Sequence, residues 1–152
     1  MARAAHYPVP MRLKWPLTGR NEEVQTITDA VSDPTLAGIV VCGAAGVGKS
    51  RVTRDALHAM ASHRTHIRWV VATASARALP LGAFASWAPA AADSLQLVRG
   101  VVDSLTAAPD GAEVVLGVDD AHLLDDLSVF VVHQIIQRRA AKVVLTVRDG
   151  EP

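Results

Sequence analysis

Residues 43–50 read Gly-Ala-Ala-Gly-Val-Gly-Lys-Ser, and this stretch constrains the fold more than any other part of the chain. Gly43, Gly46 and Gly48 lack a Cβ, so the backbone can take left-handed angles and come close to a ligand. Successive N–H groups can then point inward and form a nest for phosphate oxygens. A helix that begins where the loop ends adds its free N–H groups and its positive dipole end. The pattern G-x-x-x-x-G-K-S therefore predicts a phosphate-binding loop.

The last two residues of the loop carry its most specific chemistry. We predict that Lys49 places its ammonium on the β- and γ-phosphates of a nucleotide and that Ser50 binds Mg²⁺ through its hydroxyl. The predicted nucleotide-binding set is the whole loop and the residue that follows it: Gly43, Ala44, Ala45, Gly46, Val47, Gly48, Lys49, Ser50 and Arg51.

The sequence on both sides of the loop agrees with this interpretation. Residues 38–42 form a short apolar run that is typical of a buried parallel strand. Residues 49–62 place Val52, Ala56 and Leu57 on one helical face. Strand, glycine loop and helix in this order is the context that the motif requires, whereas a glycine-rich turn that matches by chance is the alternative.

Composition excludes several classes of protein. The chain has 152 residues, enough for one domain with a core, and its formal net charge is zero, which argues against a nucleic-acid-coating or membrane-surface domain. It has no apolar run near the roughly 20 residues that span a bilayer. Cys42 is the only cysteine, so an intrachain disulfide and a cysteine zinc cluster are excluded. A cytoplasmic protein with no membrane partner fits these features.

Apolar strands that alternate with helices predict the fold class. Residues 1–16 hold three prolines and are predicted to be an N-terminal arm, while residues 17–152 form the core. The predicted strands are 38–42, 67–72, 113–118 and 142–147, and the predicted helices are 21–31, 49–62, 81–87, 93–107 and 125–139. The run 129–132 is rich in β-formers, which leaves a strand there as an alternative. The order favours an α/β fold with a parallel sheet covered on both faces, in which ligands bind at the carboxyl ends of the strands.

An acidic pair follows the third strand. A phosphate loop needs a nearby carboxylate for Mg²⁺, which prefers oxygen ligands and keeps several waters. Asp119 is the candidate metal residue, and Asp120 is the candidate that orients or polarises an attacking water. The alternative is that the two acids are capping residues in a turn.

Arg148 comes directly after the fourth strand, which is expected to lie beside the loop strand. Its guanidinium is a candidate sensor of the γ-phosphate, and a solvated loop arginine is the alternative. Asp120, Lys49 and Arg148 thus form the candidate catalytic set. His122 lies just after the acids and is assigned no catalytic role.

Several short motifs together resemble a known family. The loop 43–50 corresponds to Walker A and residues 114–120 correspond to Walker B. Leu17–Arg20 matches an "hhGR" element, Thr146–Arg148 matches "T-x-R", and residues 119–124 match "DDAH-L". Residues 79–84, after the second strand, resemble a further segment of the same family. In this order they resemble the STAND branch of the AAA-like ATPases, and within it the large LuxR-type ATP-binding transcriptional regulators. The resemblance covers about residues 17–148.

The resemblance implies a three-layer P-loop NTPase fold with strand order 1-4-3-2 and, normally, a fifth strand beside strand one. It implies ATP or ADP with Mg²⁺ as ligands, Gly19 and Arg20 near the adenine, and Arg148 on phosphate. It also implies slow hydrolysis that resets a switch controlling self-association. Because the sequence stops at Pro152, before the expected fifth strand and lid, we expect a truncated product or an excised domain acting with the rest of a longer regulator. Direct DNA binding by this segment is not expected.

Two other functions remain as alternatives. An AAA-type motor or loader that acts on nucleic acid or protein would be expected to carry glutamate where this chain has Asp120. A small-molecule kinase would need an arginine-rich lid and an acceptor site after the loop, and neither is clear in the sequence.

Overall fold

The computed structural model describes residues 20–91 and 93–150. The helices of this part are α1 (Arg20–Ser32), α2 (Lys49–Met60), α3 (Ala74–Arg77), α4 (Ser94–Thr106) and α5 (Asp126–Arg138). The strands are β1 (Gly38–Gly43), β2 (Thr65–Val71), β3 (Glu113–Asp119) and β4 (Lys142–Arg148). Short 3₁₀ turns cover Gly82–Trp87, Pro109–Gly111 and Ala121–Leu123.

The four strands form one parallel sheet in the order β1-β4-β3-β2. This confirms the predicted α/β class and the predicted strand order. In register, Gly43 of β1 lies opposite Arg148 of β4, and Val71 of β2 lies opposite Asp119 of β3. The order therefore brings the carboxyl ends of β1, β4 and β3 together at one end of the sheet, where the loop, the acids and Arg148 all lie.

Apolar side chains pack on both faces of the sheet. On one face α1 and α2 contribute Ile27, Val52 and Leu57, which pack against Val115 and Val144 of the central strands. On the other face α4 and α5 build a second cluster around fully buried Phe84, Val101, Leu105, Val131 and Ile135. These two layers, with the sheet between them, give the predicted three-layer arrangement and hold the ends of β3 and β4 rigidly.

Most of the predicted elements are confirmed, with corrections at their ends. Residues 126–138 are a helix, as preferred over a strand. The first helix runs from Arg20 to Ser32, one residue longer at each end than the predicted 21–31. The helix after the loop ends at Met60 instead of Ser62, because Ser62 forms an isolated bridge with Thr65 that starts the turn into β2. No sequence pattern predicted α3, which Thr73 caps by accepting from the N–H of Ala76.

Two further predictions concern the N-terminal part of the chain and the absence of a membrane-spanning segment. The N-terminal arm and Leu17–Gly19 lie outside the described residues. Across the described residues, no helix has the length and apolar character needed to cross a bilayer.

Candidate functional site

The loop between β1 and α2 has the backbone that its glycines predict. Gly46 has φ 76° and Gly48 has φ 87°, left-handed backbone angles that residues other than glycine rarely adopt. Gly43 serves a different purpose, because a Cβ there would meet Lys49 Cδ and Val47 Cγ2 at 3.3 Å. Glycine thus permits the left-handed turn at two positions, and at Gly43 it avoids tight contacts with the side chains of Val47 and Lys49.

The N–H groups of the loop are open. Among the described residues, no hydrogen bond outside the helices and strands starts from a backbone N–H of residues 44–51. Gly48, which precedes α2, makes no side-chain capping bond, and the first bond of the helix runs from Val52 N to Gly48 O. The unpaired N–H groups and the positive end of the α2 dipole make this loop fit an anion such as a phosphate.

Lys49 is folded back over this loop. The residue is 7% exposed, and its Nζ donates to the carbonyl oxygens of Gly43 and Ala44 at 2.8 Å each. An ammonium has three N–H donors, so one remains for a ligand even while both bonds persist. The bonds place the positive charge against the loop backbone, and within residues 20–91 and 93–150 no salt bridge pairs Lys49 with a carboxylate.

Ser50 and Asp119 come into direct contact. Ser50 Oγ donates to Asp119 Oδ1 at 2.6 Å, and Asp119 is 7% exposed at the end of β3. A hydroxyl and one carboxylate side by side are the donor set that Mg²⁺ accepts when phosphate oxygens and water complete its octahedron. Among the residues searched, no group of three His, Cys, Asp or Glu could hold a metal. The residues present therefore fit a magnesium ion shared with a nucleotide, and the described part offers no all-protein metal cage.

Asp120 and Arg148 form the outer part of the site. Asp120 has left-handed backbone angles (φ 51°, ψ 47°), and its Oδ1 lies 4.0 Å from Arg148 Nε. Both side chains are partly exposed, 29% for Asp120 and 46% for Arg148, so the ion pair is screened by water and contributes little to stability. The geometry brings together the residue predicted to orient water and the residue predicted to contact phosphate.

Thr146 is a site residue to which sequence analysis assigned no role. Its hydroxyl is fully buried, donates to Asp119 Oδ1 at 2.5 Å and accepts from Asp120 N at 2.9 Å. The signal was present in the "T-x-R" pattern, because residues two apart in a strand share a face and Arg148 was already a candidate.

Other predicted residues stand apart from this group. Gly19 lies outside the described residues, and the side chain of Arg20, which opens α1, is not described. The Arg51 side chain is 72% exposed and pairs weakly with Asp55 at 3.9 Å, so only its backbone N–H faces the loop opening. His122 lies in a 3₁₀ turn with its Nδ1 buried and unpaired among the described groups.

Cys42 is a half-buried thiol directly before the loop. Burial raises its pKa, and the nearby carboxylate of Asp149 raises it further against the opposing effect of Lys49. A raised pKa keeps the thiol protonated and unreactive at neutral pH.

The parallel sheet, the glycine loop at its carboxyl edge and the Ser50–Asp119 contact define a P-loop NTPase-type domain. Residues 16–147 match the family model described as the AAA ATPase domain, and the chain belongs to this family. No curated protein sequence matches the chain.

Solved structures give the same fold. One is the S. cerevisiae Hsp104–ADP complex, with a TM-score of 0.56 and 18% identity over 88% of this chain. Another is Drosophila ORC bound to DNA, with a TM-score of 0.56 and 19% identity over 90% of this chain. The match spans only 19% of the Hsp104 chain and 38% of the ORC chain. At this identity the likeness shows the fold alone.

Proposed function

We propose that this chain is an ATP-binding, slowly hydrolysing switch domain of a LuxR-type transcriptional regulator. The observation that carries the nucleotide-binding part is the 2.6 Å contact between Ser50 and Asp119 beside an open loop. A hydroxyl from the loop helix and a carboxylate from β3 meet where the phosphates of a bound nucleotide would end. Membership of the AAA ATPase domain family supports the same reading.

The loop residues bind and orient the nucleotide. The N–H groups of residues 44–51 donate to phosphate oxygens, and Lys49 adds a charge-assisted bond to the β- and γ-phosphates. Ser50 and Asp119 hold Mg²⁺, which when bound would neutralise charge on the phosphate oxygens. Because Lys49 is already held by Gly43 O and Ala44 O, little reorganisation is needed when a ligand arrives.

Asp120 and Arg148 act on the terminal phosphate. Asp120 orients the attacking water through its carboxylate, and Arg148 contacts the phosphate through its guanidinium. Their 4.0 Å separation means that a phosphate approaching Arg148 also approaches Asp120. Loss of that phosphate removes a partner from Arg148, which gives the site a way to distinguish ATP from ADP.

The regulatory part of the proposal rests on the motif order. The segment Asp119–Leu124 reads Asp-Asp-Ala-His-Leu-Leu, and the strand β4 ends in Thr-Val-Arg, as in the resemblance to LuxR-type regulators. In this proposal the switch acts by self-association or through the remainder of a longer regulator. The domain itself does not read DNA, in keeping with its zero net charge.

An AAA-type motor or loader is the second candidate. It is favoured by the fold likeness to Hsp104 and to ORC, whose solved structures are an ADP complex and a DNA complex. The two candidate functions differ in the residue that they require at position 120. The side chain of Asp120 is shorter than that of glutamate, so its carboxylate reaches less far toward an attacking water. The switch proposal therefore predicts slow turnover, whereas a motor requires turnover that its substrate stimulates.

Turnover and assembly measured together distinguish these functions. Phosphate release is followed with and without added duplex DNA and unfolded protein, and the particle mass is measured by light scattering in ATP, in ADP and without nucleotide. A switch gives less than about one turnover per minute, no stimulation, and a mass that differs between ATP and ADP. Turnover near the median enzyme value of about 10 per second, or strong stimulation by DNA or protein, would contradict the switch and support the motor.

A further inference from the structure

Thr146 connects the two acidic residues at the end of β3 through a single hydroxyl. Its Oγ1 donates to Asp119 Oδ1 at 2.5 Å and accepts from the backbone N–H of Asp120 at 2.9 Å. A hydroxyl has one hydrogen to donate and lone pairs to accept, so the two bonds are made at the same time. The residue is fully buried, so water does not compete for either bond.

The bond to Asp119 fixes the direction of its carboxylate. Ser50 and Thr146 both donate to Oδ1, from α2 on one side and from β4 on the other. Two donors on one oxygen hold the carboxylate against rotation about its Cβ–Cγ bond. Groups that hydrogen-bond a metal-binding carboxylate in this way orient it and tune its affinity for the ion.

The bond to Asp120 supports an unusual backbone. Asp120 has φ 51° and ψ 47°, a left-handed conformation that residues with a Cβ rarely adopt. Its N–H is paired with Thr146, and its carbonyl accepts from Leu123 N at 2.8 Å. These two bonds hold the turn from which the Asp120 side chain extends toward Arg148.

We infer that Thr146 is a positioning residue that couples the metal-binding geometry of Asp119 to the water-orienting geometry of Asp120. The inference rests on the proposed nucleotide-binding function. Thr146 itself contacts neither nucleotide nor metal, and it acts through the two acids. Loss of its hydroxyl leaves the Asp119 carboxylate with Ser50 as its one side-chain donor among the described residues and takes away the acceptor of the part-buried N–H of Asp120.

The test is the magnesium dependence of nucleotide binding by the full chain. Dissociation constants for ATP are measured with Mg²⁺ and with a chelator, and their ratio gives the gain in affinity due to the metal. Thr146→Val keeps the shape and removes the hydroxyl. We expect the chelator value to stay near wild type and the gain from Mg²⁺ to fall by about tenfold or more. Thr146→Ser, which restores a hydroxyl, is expected to recover most of the gain.

Thr53 provides a matched control. It is also fully buried, but its Oγ1 has no hydrogen-bond partner among the described residues. Thr53→Val removes a buried hydroxyl from α2 without touching the acids, so the gain from Mg²⁺ should not change. Circular dichroism checks that each variant is folded. If Thr146→Val does not fold, Thr146→Ala replaces it, with the same expected fall in the gain in ATP affinity from Mg²⁺.

The possible outcomes separate this inference from the function on which it rests. If wild type gains affinity from Mg²⁺ and Thr146→Val keeps the same gain, the inference is wrong and the proposed function stands. An equal loss in Thr53→Val, or no recovery in Thr146→Ser, would also overturn it. If folded wild type binds no nucleotide, the proposed function fails, and the inference fails with it.

Discussion

Ser50 Oγ and Asp119 Oδ1 lie 2.6 Å apart, although 69 residues separate them in the sequence. The contact exists because β4 pairs with both β1 and β3, which brings the loop that follows β1 to the end of β3. The sheet thus fixes the contact between the two residues that we propose to hold Mg²⁺. Variants of single side chains should therefore separate nucleotide binding from turnover.

Lys49→Ala should abolish measurable nucleotide binding. The change removes a buried positive charge that we propose to bind the β- and γ-phosphates, and charge-assisted bonds of this kind are among the strongest in proteins. A fluorescent-ATP titration measures the effect. Arg99→Ala is the control, because it removes an exposed positive charge from α4 on the other face of the sheet. Unchanged affinity in a folded Lys49→Ala protein would show that the loop assignment is wrong.

Asp120→Asn should leave ATP binding within about threefold of wild type and remove turnover. The amide has nearly the same shape as the carboxylate, but it cannot accept a proton from water or polarise it as strongly, an effect worth about 100-fold or more in rate. Phosphate release under single-turnover conditions checks this. Normal turnover in the variant would mean that another group handles the water.

Arg148→Ala should reduce the preference for ATP over ADP by about tenfold, equivalent to the loss of one interaction of about 1.4 kcal/mol with the terminal phosphate. Stability should change by no more than about 0.5 kcal/mol, because the pair with Asp120 is solvent-exposed. Paired titrations with ATP and ADP measure the ratio. Arg138→Ala, at the far end of α5, is the control, and an unchanged ratio in Arg148→Ala would remove the sensor role.

Asp125→Asn should destabilise the fold at neutral pH by about 0.5–1 kcal/mol, because it removes a negative charge from the N-terminus of α5 although asparagine can still cap the helix. Asp125 caps α5 by accepting from the N–H groups of Leu127 and Ser128, and it also accepts from Leu81 N at 3.1 Å. Burial raises the pKa of Asp125, but the hydroxyl of Ser128 and the N–H groups of Leu81 and Ser128 lower it more, to below its usual 3.8.

The pH dependence of the destabilisation by Asp125→Asn follows from the lowered pKa of Asp125. Because the pKa is lower in the folded state, the ionised carboxylate adds stability above the unfolded value of 3.8, and this is lost as the pH falls through the folded value. The difference in unfolding free energy between wild type and Asp125→Asn should be full at pH 7 and should shrink below about pH 4. Thermal unfolding at several pH values measures it, and an equal difference at pH 7 and pH 3 would show that the negative charge of Asp125 does not stabilise the fold.

The parts of the site that depend on local sequence could be predicted. The left-handed angles at Gly46 and Gly48 follow from residue type and spacing within eight positions, and so does the order of strand, loop and helix. The strand order came from the resemblance to a family and not from the residues, since the pattern of apolar runs does not specify which strands pair.

The T-x-R pattern marked Thr146, but the two hydrogen bonds of its hydroxyl could not be predicted from that pattern. Its two bonds exist only because β4 lies beside β3, so they depend on tertiary pairing that a single strand does not encode. The helix α5, in contrast, could be predicted from the local sequence. Val131, Val132 and Ile135 are buried at helical spacing while Val129 and Phe130 are exposed, because the Asp125 cap and the pattern of burial outweigh the β-propensity of the run.

Calorimetric titration of the protein with ATP and with ADP, each with and without Mg²⁺, tests the central claim most directly. The account predicts binding of both nucleotides through the loop, a clear gain in affinity from Mg²⁺ through Ser50 and Asp119, and tighter binding of ATP than of ADP through Arg148. A folded protein that releases no heat with either nucleotide, or that binds them equally with and without Mg²⁺, would contradict it.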